Sequence, residues 1–419
     1  LVVKKGRVVK AQIIVIGSEL LSGYVIDTNS VYLCEELLKL GIEVVKKVIV
    51  QDKKEEILCA LKEGVQKADI VILTGGLGPT YDDITKKTVS SFFNRRLILS
   101  DKLFRKVEKL SLTRKTKMVT IKSTQALVPH GAVILDNPIG TTPGLLLTEQ
   151  NADVIMLPGV PIEIEAIFRA SLRPFLEKKN KERIVLSKNL HTTGISESAL
   201  YEKLKSLKVK EFTVFLPFPK GVDIRITIES DSIEEGRERL SRMEDSIVER
   251  IDNYYYGSNG ETLERVIGIL LTMRKKKLAV AESCTAGLLM KRITDIPGSS
   301  FYFHGGVVSY SNEEKVKILK VKKGDIKQQG AVSEEIAKQM ACGVKNLFNA
   351  DIGISITGIA GPAGGTENKP VGLVYIGVFD GVDNFAKKYN FSGTRGIIRE
   401  KSAQAALDLL RKTLLGMEI

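Results

Sequence analysis

The 419-residue chain has no tryptophan, and its aromatic share is only 6%. Surfaces that bind nucleic acid by stacking bases on aromatic rings are therefore poorly supplied. Histidine occurs three times, at His130, His191 and His304. The four cysteines, Cys34, Cys59, Cys284 and Cys342, show no C-x-x-C spacing. They fit a reducing, cytoplasmic setting better than a disulfide framework. Apolar runs such as Ala11–Ile16 and Asp69–Leu73 are far shorter than the ~20 residues that cross a bilayer, so no membrane association is expected. Leu1–Lys10 has no apolar core followed by a small-residue cleavage site, so no signal peptide is expected.

What remains is the composition of a folded globular protein, 43% hydrophobic and 27% charged. Its length calls for two or three domains rather than one core. The net charge is +13, but the basic residues are scattered, as in Lys46-Lys47, Lys53-Lys54, Arg95-Arg96 and Arg274–Lys277. That distribution reads as a lysine-rich, phosphate-friendly surface rather than a nucleic-acid footprint.

Three textures follow one another along the chain. In residues 10–178, short apolar runs (Ala11–Ile16, Ile42–Val50, Asp69–Leu73) alternate with helical periods (Thr28–Leu40, Lys53–Gln66), and a further helix lies near Pro161–Leu172. Strand–helix–strand alternation predicts a parallel sheet wrapped by helices. Residues 181–257 read as a small α+β unit, with strands at Ile184–Leu190 and Val222–Glu229 and helices at Ser196–Leu207 and Ile233–Ile251. Its order suits a KH-like module, which normally carries a GXXG loop between helices. The nearby string Gly257-Ser258-Asn259-Gly260 comes after the unit and reads as a linker, so the unit is taken as structural or dimerising. Residues 261–416 return to α/β texture, with a helix at Thr262–Arg274, a strand at Leu278–Glu282, a Ser/Gly turn and a helix at Ala286–Ile293. The fold class is therefore α/β in the first and last parts, with a small α+β piece between them.

Two places carry chemistry. In the first, Gly75-Gly76-Leu77-Gly78-Pro79-Thr80 leaves a strand and is followed by Asp82-Asp83-Ile84-Thr85. Ligands of open α/β sheets bind outside the carboxyl ends of the strands, and glycines there let backbone N–H groups approach phosphate. Asp82 and Asp83, with Thr80, Thr85 and the acids Glu19 and Asp27 from the first strand's end, could hold a divalent cation that helps water attack a pyrophosphate. A plain Gly-Pro turn with an Asp-Asp helix cap is the competing reading.

In the second place, Ala281-Glu282-Ser283-Cys284-Thr285-Ala286-Gly287 joins a strand to a helix, so backbone N–H groups could stabilise an oxyanion. Only His304 lies in this unit, which leaves a Ser–His–Asp triad thinly supported. Lys315, in Ser309-Tyr310-Ser311-Asn312-Glu313-Glu314-Lys315, is the other candidate base for Ser283, with Tyr310 as proton donor. Cys284 is the rival nucleophile, since a thiolate at a helix N-terminus has a lowered pKa, although packing is the commoner fate of a free cysteine. Gly305-Gly306 lies close by in sequence. The string Thr357-Gly358-Ile359-Ala360-Gly361-Pro362 could fold over a phosphate or ribose, and Thr394, Arg395 and Arg399 open the last helix as phosphate contacts.

These strings resemble the CinA family of competence/damage-inducible proteins. Gly17-Ser18-Glu19-Leu20-Leu21, Asp27-Thr28-Asn29, Thr74–Thr80, Asp82–Thr85, Asn137-Pro138-Ile139-Gly140-Thr141 and Leu157-Pro158-Gly159-Val160-Pro161 are similar to its molybdopterin-binding-type domain. The resemblance implies a metal-dependent hydrolase of ADP-ribose or a related dinucleotide pyrophosphate there. Asp27, Asn29, Gly75, Gly76, Gly78, Thr80, Gly140 and Gly159 would hold the nucleotide, and Asp82, Asp83 and Glu19 the divalent metal ion.

Ala281–Gly287, Tyr310–Lys315 and Thr357–Gly372 are similar to the family's C-terminal domain. There the resemblance implies a nicotinamide-nucleotide amidase acting through Ser283, Tyr310 and Lys315, without a metal cofactor. Thr285, Gly305, Gly306, Thr357, Gly358, Gly361, Arg395 and Arg399 would line its nicotinamide mononucleotide site. A homodimer is also implied. Two departures stand out: Ala286 replaces a family glycine, and Ser18 stands where threonine or aspartate is usual. Two other classes of function remain open, a pterin- or nucleotide-binding module without turnover and a DNA-associated competence factor.

Overall fold

The computed structural model describes residues 8–78, 80, 83–106, 125–149, 152–180, 184–207, 213–230 and 232–418. The chain packs as two compact units, Leu1–Leu186 with Ile228–Glu238, and Ser187–Thr227 with Arg239–Ile419. Among the described residues no helix is long and apolar enough to cross a membrane.

The N-terminal part runs β1 (Lys10–Ile16), α1 (Ser18–Leu21), α2 (Asn29–Lys39), β2 (Glu43–Val50), α3 (Lys54–Lys67), β3 (Ile70–Thr74), α4 (Thr85–Phe92), β4 (Leu97–Leu99), β5 (Leu127–Pro129), β6 (Val133–Leu135), β7 (Gly144–Thr148), β8 (Asp153–Leu157), α5 (Pro161–Ile167) and α6 (Arg173–Lys179). Its six-stranded sheet has the order β2-β1-β3-β8-β7-β6. The first four strands are parallel, and β6 and β7 are antiparallel additions. Strands β1, β3 and β8 read as continuous apolar runs because the sheet is covered on both faces. Ile14, Val71, Leu73 and Val154 pack on one face, and Ile13, Ile70, Ile72 and Ile155 on the other. The chain leaves β1 toward β2 and leaves β3 in the opposite sense. The crevice at the carboxyl ends of β1 and β3 therefore lies between Gly17 and Gly75.

The middle part runs β9 (Ile184–Thr192), α7 (Glu197–Leu204), β10 (Thr213–Phe218), β11 (Gly221–Ser230), α8 (Ile233–Ile251) and β12 (Tyr255–Ser258), with sheet order β10-β11-β9-β12. Two strands here escape the sequence reading. β10 (Thr-Val-Phe-Leu-Pro-Phe) contains a proline, which argues against a strand except at an edge, where β10 lies. The expected linker at Gly257 and Ser258 is instead the end of β12, paired antiparallel with His191 and Leu190.

The last part runs α9 (Leu263–Met273), β13 (Leu278–Glu282), α10 (Leu288–Thr294), β14 (Phe303–Val308), α11 (Asn312–Leu319), α12 (Lys323–Gln329), α13 (Glu334–Leu347), β15 (Ile352–Gly358), β16 (Leu373–Phe379), β17 (Asn384–Asn390) and α14 (Arg395–Leu415). The sheet order is β14-β13-β15-β16-β17. β13 is flanked by parallel neighbours, and β16 and β17 complete the sheet antiparallel. The chain again leaves β13 and β15 in opposite directions, which opens a second crevice at their carboxyl ends.

Helix α14 also anchors the middle sheet. The buried Arg411 guanidinium donates to Asp408 Oδ1 (2.8 Å), to the Tyr255 carbonyl (3.0 Å) and to the Asn253 carbonyl (2.8 Å). Without Arg411 the Tyr255 and Asn253 carbonyls lose their donor, while Asp408 keeps Lys412 Nζ at 3.3 Å. Replacing Arg411 with alanine is expected to cost about 2–3 kcal/mol. Arg169→Ala, which removes an exposed one-turn pair with Glu165, is expected to cost less than about 0.5 kcal/mol. Urea unfolding midpoints of the two variants check this, and equal midpoints would contradict it.

Candidate active site

The C-terminal crevice is built by three strand ends. β13 delivers Ser283, whose N–H donates to the Ile356 carbonyl at 3.0 Å. β14 delivers Ser309 and Tyr310, with the Ser309 N–H donating to the Glu282 carbonyl at 2.9 Å. α11, capped by Ser311, turns Lys315 back toward Ser283. The Lys315 side chain is only 1% exposed. Its Nζ lies 3.0 Å from Ser283 Oγ, 2.8 Å from the Ser309 carbonyl and 3.3 Å from the Tyr310 carbonyl. Among the described residues no carboxylate pairs with it. Burial disfavours the ammonium more than nearby Glu313 favours it, and the Lys315 pKa falls from its ordinary 10.5 to about 8. A neutral amine has two N–H donors and one lone pair. In that neutral form, with the two carbonyls taking the donors, the lone pair is left for the Ser283 hydroxyl; as an ammonium, Lys315 donates to Ser283 Oγ.

Glu282 has a part that the sequence reading did not give it. Its fully buried carboxylate accepts from the N–H groups of Gly287 (3.0 Å), Leu289 (3.2 Å) and Met290 (2.8 Å). It therefore occupies the N-terminus of α10, the place expected to receive an oxyanion. The Ala286 N–H returns to the Ser283 carbonyl and the Leu288 N–H to Thr285. The N–H groups of Cys284 and Thr285, the two residues after Ser283, find no acceptor oxygen among the described residues. They are the donors left for an oxyanion.

Cys284 is 6% exposed and belongs to the main apolar cluster of this domain. Burial pushes its thiol up to about 11, the opposite of an activated thiolate. His304 is exposed near the start of β14, where Nδ1 lies 3.4 Å from the Phe348 carbonyl. The described residues offer no histidine at Ser283.

The other expected residues divide. Thr285 is buried, with its carbonyl held by Arg399 Nη2 at 2.6 Å. Thr285 Oγ1, Ser309 Oγ and Arg399 Nε are buried without partners around the crevice. Tyr310 is 59% exposed, and its hydroxyl accepts from Arg395 Nη2 at 3.0 Å. Arg395 Nη1 also donates to the Gly361 carbonyl at 2.8 Å. Thr357 and Gly358 end β15 beside the Ser283 turn, but Thr357 Oγ1 is taken by the Ala331 carbonyl at 2.9 Å.

Gly305 and Gly306 are not at the crevice. They pair with Ala279 and Val280 midway along the edge strand β14, where a Cβ would lie 2.4 Å from the Phe348 ring or from Met290 Sδ. They are there for packing, and their nearness to Ser309 in sequence does not bring them to the substrate.

The N-terminal crevice is a cradle of backbone more than of carboxylates. Gly75 has φ +98°, and a Cβ there would sit 2.2 Å from the Ile16 carbonyl oxygen. Its own N–H donates to Leu157, and its carbonyl accepts from Thr85 Oγ1 at 2.9 Å. Gly76, at φ +64°, would place a Cβ 2.3 Å from Thr85 Oγ1. Gly159 approaches Gly75, and Asn29 Nδ2 donates to the Gly159 carbonyl at 2.8 Å. Asn29, Gly75, Gly76 and Gly159 thus converge. Gly140 lies in a separate turn organised by Asn137, whose Oδ1 accepts the Gly140 N–H at 2.8 Å.

The expected metal ligands are less well served. Asp27 caps α2, accepting from the Ser30 N–H and hydroxyl. Asp83 closes the turn beside Gly78 by accepting from the Thr80 N–H at 2.7 Å and from its hydroxyl. Glu19 is exposed, and Asp82 lies outside the described residues. Among the described residues no three His, Cys, Asp or Glu side chains are grouped for a metal. Among the described residues, Glu19, Asp27 and Asp83 thus do not gather into one cluster of ligands. Lys86, which the sequence reading passed over, is buried in the first turn of α4. Burial lowers its pKa from 10.5 to about 8.

Two crevices at sheet carboxyl ends, one lined by glycine backbone and one holding a serine against a desolvated lysine, define a two-site α/β protein. Comparison with known proteins gives its family. Residues 12–178 match the model described as "Probable molybdopterin binding domain", residues 187–257 the damage-inducible protein CinA KH domain, and residues 260–414 the CinA C-terminal domain. A CinA-like protein of Thermotoga maritima is 42% identical over 98% of this chain and 99% of its own length. One from Kosmotoga olearia is 39% identical over 97% and 99%. The chain belongs to the CinA family. Among solved structures, a competence/damage-inducible protein from Agrobacterium tumefaciens is 35% identical over 36% of this chain and 93% of its own, with a TM-score of 0.36.

The Ala286 departure has a measurable consequence. Ala286 adopts φ +50° and Gly287 φ +91°, so α10 begins at Leu288 and not at Ala286. A left-handed alanine carries a penalty that glycine avoids, partly offset by glycine's freer unfolded chain. Ala286→Gly is expected to stabilise the protein by about 0.5–1 kcal/mol, read as a raised denaturation midpoint. A lowered midpoint would contradict the strain.

Proposed function

We propose that the C-terminal site hydrolyses the carboxamide of nicotinamide mononucleotide, giving nicotinic acid mononucleotide and ammonia. The observation that carries this reading is the buried Lys315 at 3.0 Å from Ser283 Oγ. Neutral Lys315 takes the Ser283 proton as Oγ attacks the carboxamide carbon. The N–H groups of Cys284 and Thr285 receive the developing oxyanion. The C–N bond breaks as the nitrogen accepts a proton, relayed by Tyr310 or returned by Lys315, and ammonia leaves. Lys315 then deprotonates a water, which attacks the ester. The acid product departs and the Ser283 hydroxyl is restored. No redox partner is needed. The nucleotide phosphate is placed against the first turn of α14 and Arg399, whose buried Nε lacks a partner.

For the N-terminal domain we propose hydrolysis of ADP-ribose or a related pyrophosphate. Backbone N–H groups at Gly76, Leu77 and Gly78 would receive the diphosphate. A divalent ion would polarise the bridging phosphates. With Asp27 and Asp83 committed to caps, such an ion would draw chiefly on phosphate oxygens and water. Both reactions belong to the recycling of pyridine nucleotides inside the cytoplasm, by a homodimer.

Three outcomes test these assignments. Ser283→Ala and Lys315→Ala are each expected to lower ammonia release from nicotinamide mononucleotide by at least about 100-fold, while Cys284→Ala keeps it. Loss with Cys284→Ala alone would move the nucleophile. Because the base acts neutral, kcat/KM should rise as pH passes through about 8, gaining about tenfold between pH 7 and pH 9. A profile that instead falls over this range would contradict a lysine base. For the N-terminal domain, AMP should accumulate from ADP-ribose with magnesium or manganese and stop with a chelator. No AMP with any divalent metal would leave a binding module in its place.

A further inference from the structure

Arg395 opens α14 and was expected to contact phosphate, yet its guanidinium already has two partners. Nη2 donates to the Tyr310 hydroxyl oxygen at 3.0 Å and Nη1 to the Gly361 carbonyl at 2.8 Å. Tyr310 needs such a hold. Its side chain is mostly exposed, and it makes no ring stack and no other side-chain hydrogen bond among the described residues. The lysine contact at this residue goes to its backbone carbonyl, not to the phenol. Gly361 sits at φ +74°, with Val371 filling the space where a Cβ would lie, so its carbonyl is a fixed anchor. A planar guanidinium can hold two oxygens at once in a set geometry, which a lysine cannot.

We infer that Arg395 is a positioning residue for Tyr310 rather than a phosphate ligand, a reading that rests on the amidase assignment. It fills a lone pair of the phenol oxygen, so the Tyr310 O–H proton points away from Arg395. Tyr310 is thereby presented as a proton donor to the departing ammonia, and the loop Ile359–Gly372 is latched to the same guanidinium. Phosphate recognition is left to Arg399 and the helix terminus.

The test compares the wild type with Arg395→Met, Arg395→Lys, Tyr310→Phe and the double variant Arg395→Met/Tyr310→Phe. The substrates are nicotinamide mononucleotide and nicotinamide riboside, which lacks the phosphate. Arg395→Met should lower kcat about 10–100-fold on both substrates with KM within about threefold. Lysine should rescue only partly, and the double variant should be no slower than Tyr310→Phe. A raised KM for the mononucleotide alone, with kcat kept, overturns the inference in favour of a phosphate ligand.

A second readout needs no turnover. With ζ-carbon-labelled tyrosine, the resonance that disappears in Tyr310→Phe should move in Arg395→Met. If it stays where it is in the wild type, the contact is absent and the inference fails. If it moves while the wild type releases no ammonia, the positioning holds and the amidase assignment fails.

Discussion

A buried lysine amine is the constraint around which the C-terminal domain is arranged. Holding Lys315 as an ammonium at this depth costs roughly 3 kcal/mol relative to water, judged from its displacement to about 8. The nearby Glu313 carboxylate offsets only a lesser part of that cost, so near neutral pH a useful fraction of the side chain is a free base. The carbonyls of Ser309 and Tyr310 fix where its lone pair points. A surface lysine would be fully charged and mobile, and Ser283 would then be only a helix-proximal hydroxyl.

The acid of this region is kept away from the base by giving it other work. Glu282 is adjacent to Ser283 in sequence, but its oxygens are consumed by three N–H groups of the following turn. This capping leaves the Cys284 and Thr285 N–H groups without an acceptor oxygen beside Ser283 among the described residues. The same turn disfavours Cys284 as the nucleophile of the proposed reaction. The turn that presents Ser283 to the crevice sends the next side chain into the core, where burial raises its pKa. Ala286, in a backbone conformation better suited to glycine, carries part of the strain of that turn.

Much of this was legible in the sequence. Apolar runs separated by helical periods gave the parallel sheets, and the position of Gly75–Gly78 and Ser283 at strand ends gave both crevices. The convergence of Ser283, Tyr310 and Lys315 could be suspected because each sits at a strand–helix turn. Other features had no sequence signal. Gly305 and Gly306 look like loop glycines but serve packing, because Gly305 must avoid the Phe348 ring and Gly306 the Met290 sulfur. The capping roles of Asp27 and Asp83 are local hydrogen bonds that compete with metal ligation, and spacing cannot choose between them. β10 was hidden by its proline, and β12 by glycine and asparagine residues that normally mark linkers. Arg395 reads as a phosphate contact until Tyr310 and Gly361, distant in sequence, are seen to meet it.

The central claim is that Ser283, deprotonated by Lys315, becomes covalently attached to the acyl group. Rapid-quench mass spectrometry of the full-length protein turning over nicotinamide mononucleotide tests it most directly. The account expects an adduct with the mass of the nicotinoyl nucleotide, mapping to Ser283 and intercepted by hydroxylamine as a hydroxamate. An adduct on Cys284, or sustained ammonia release with no adduct and no hydroxamate, would contradict it.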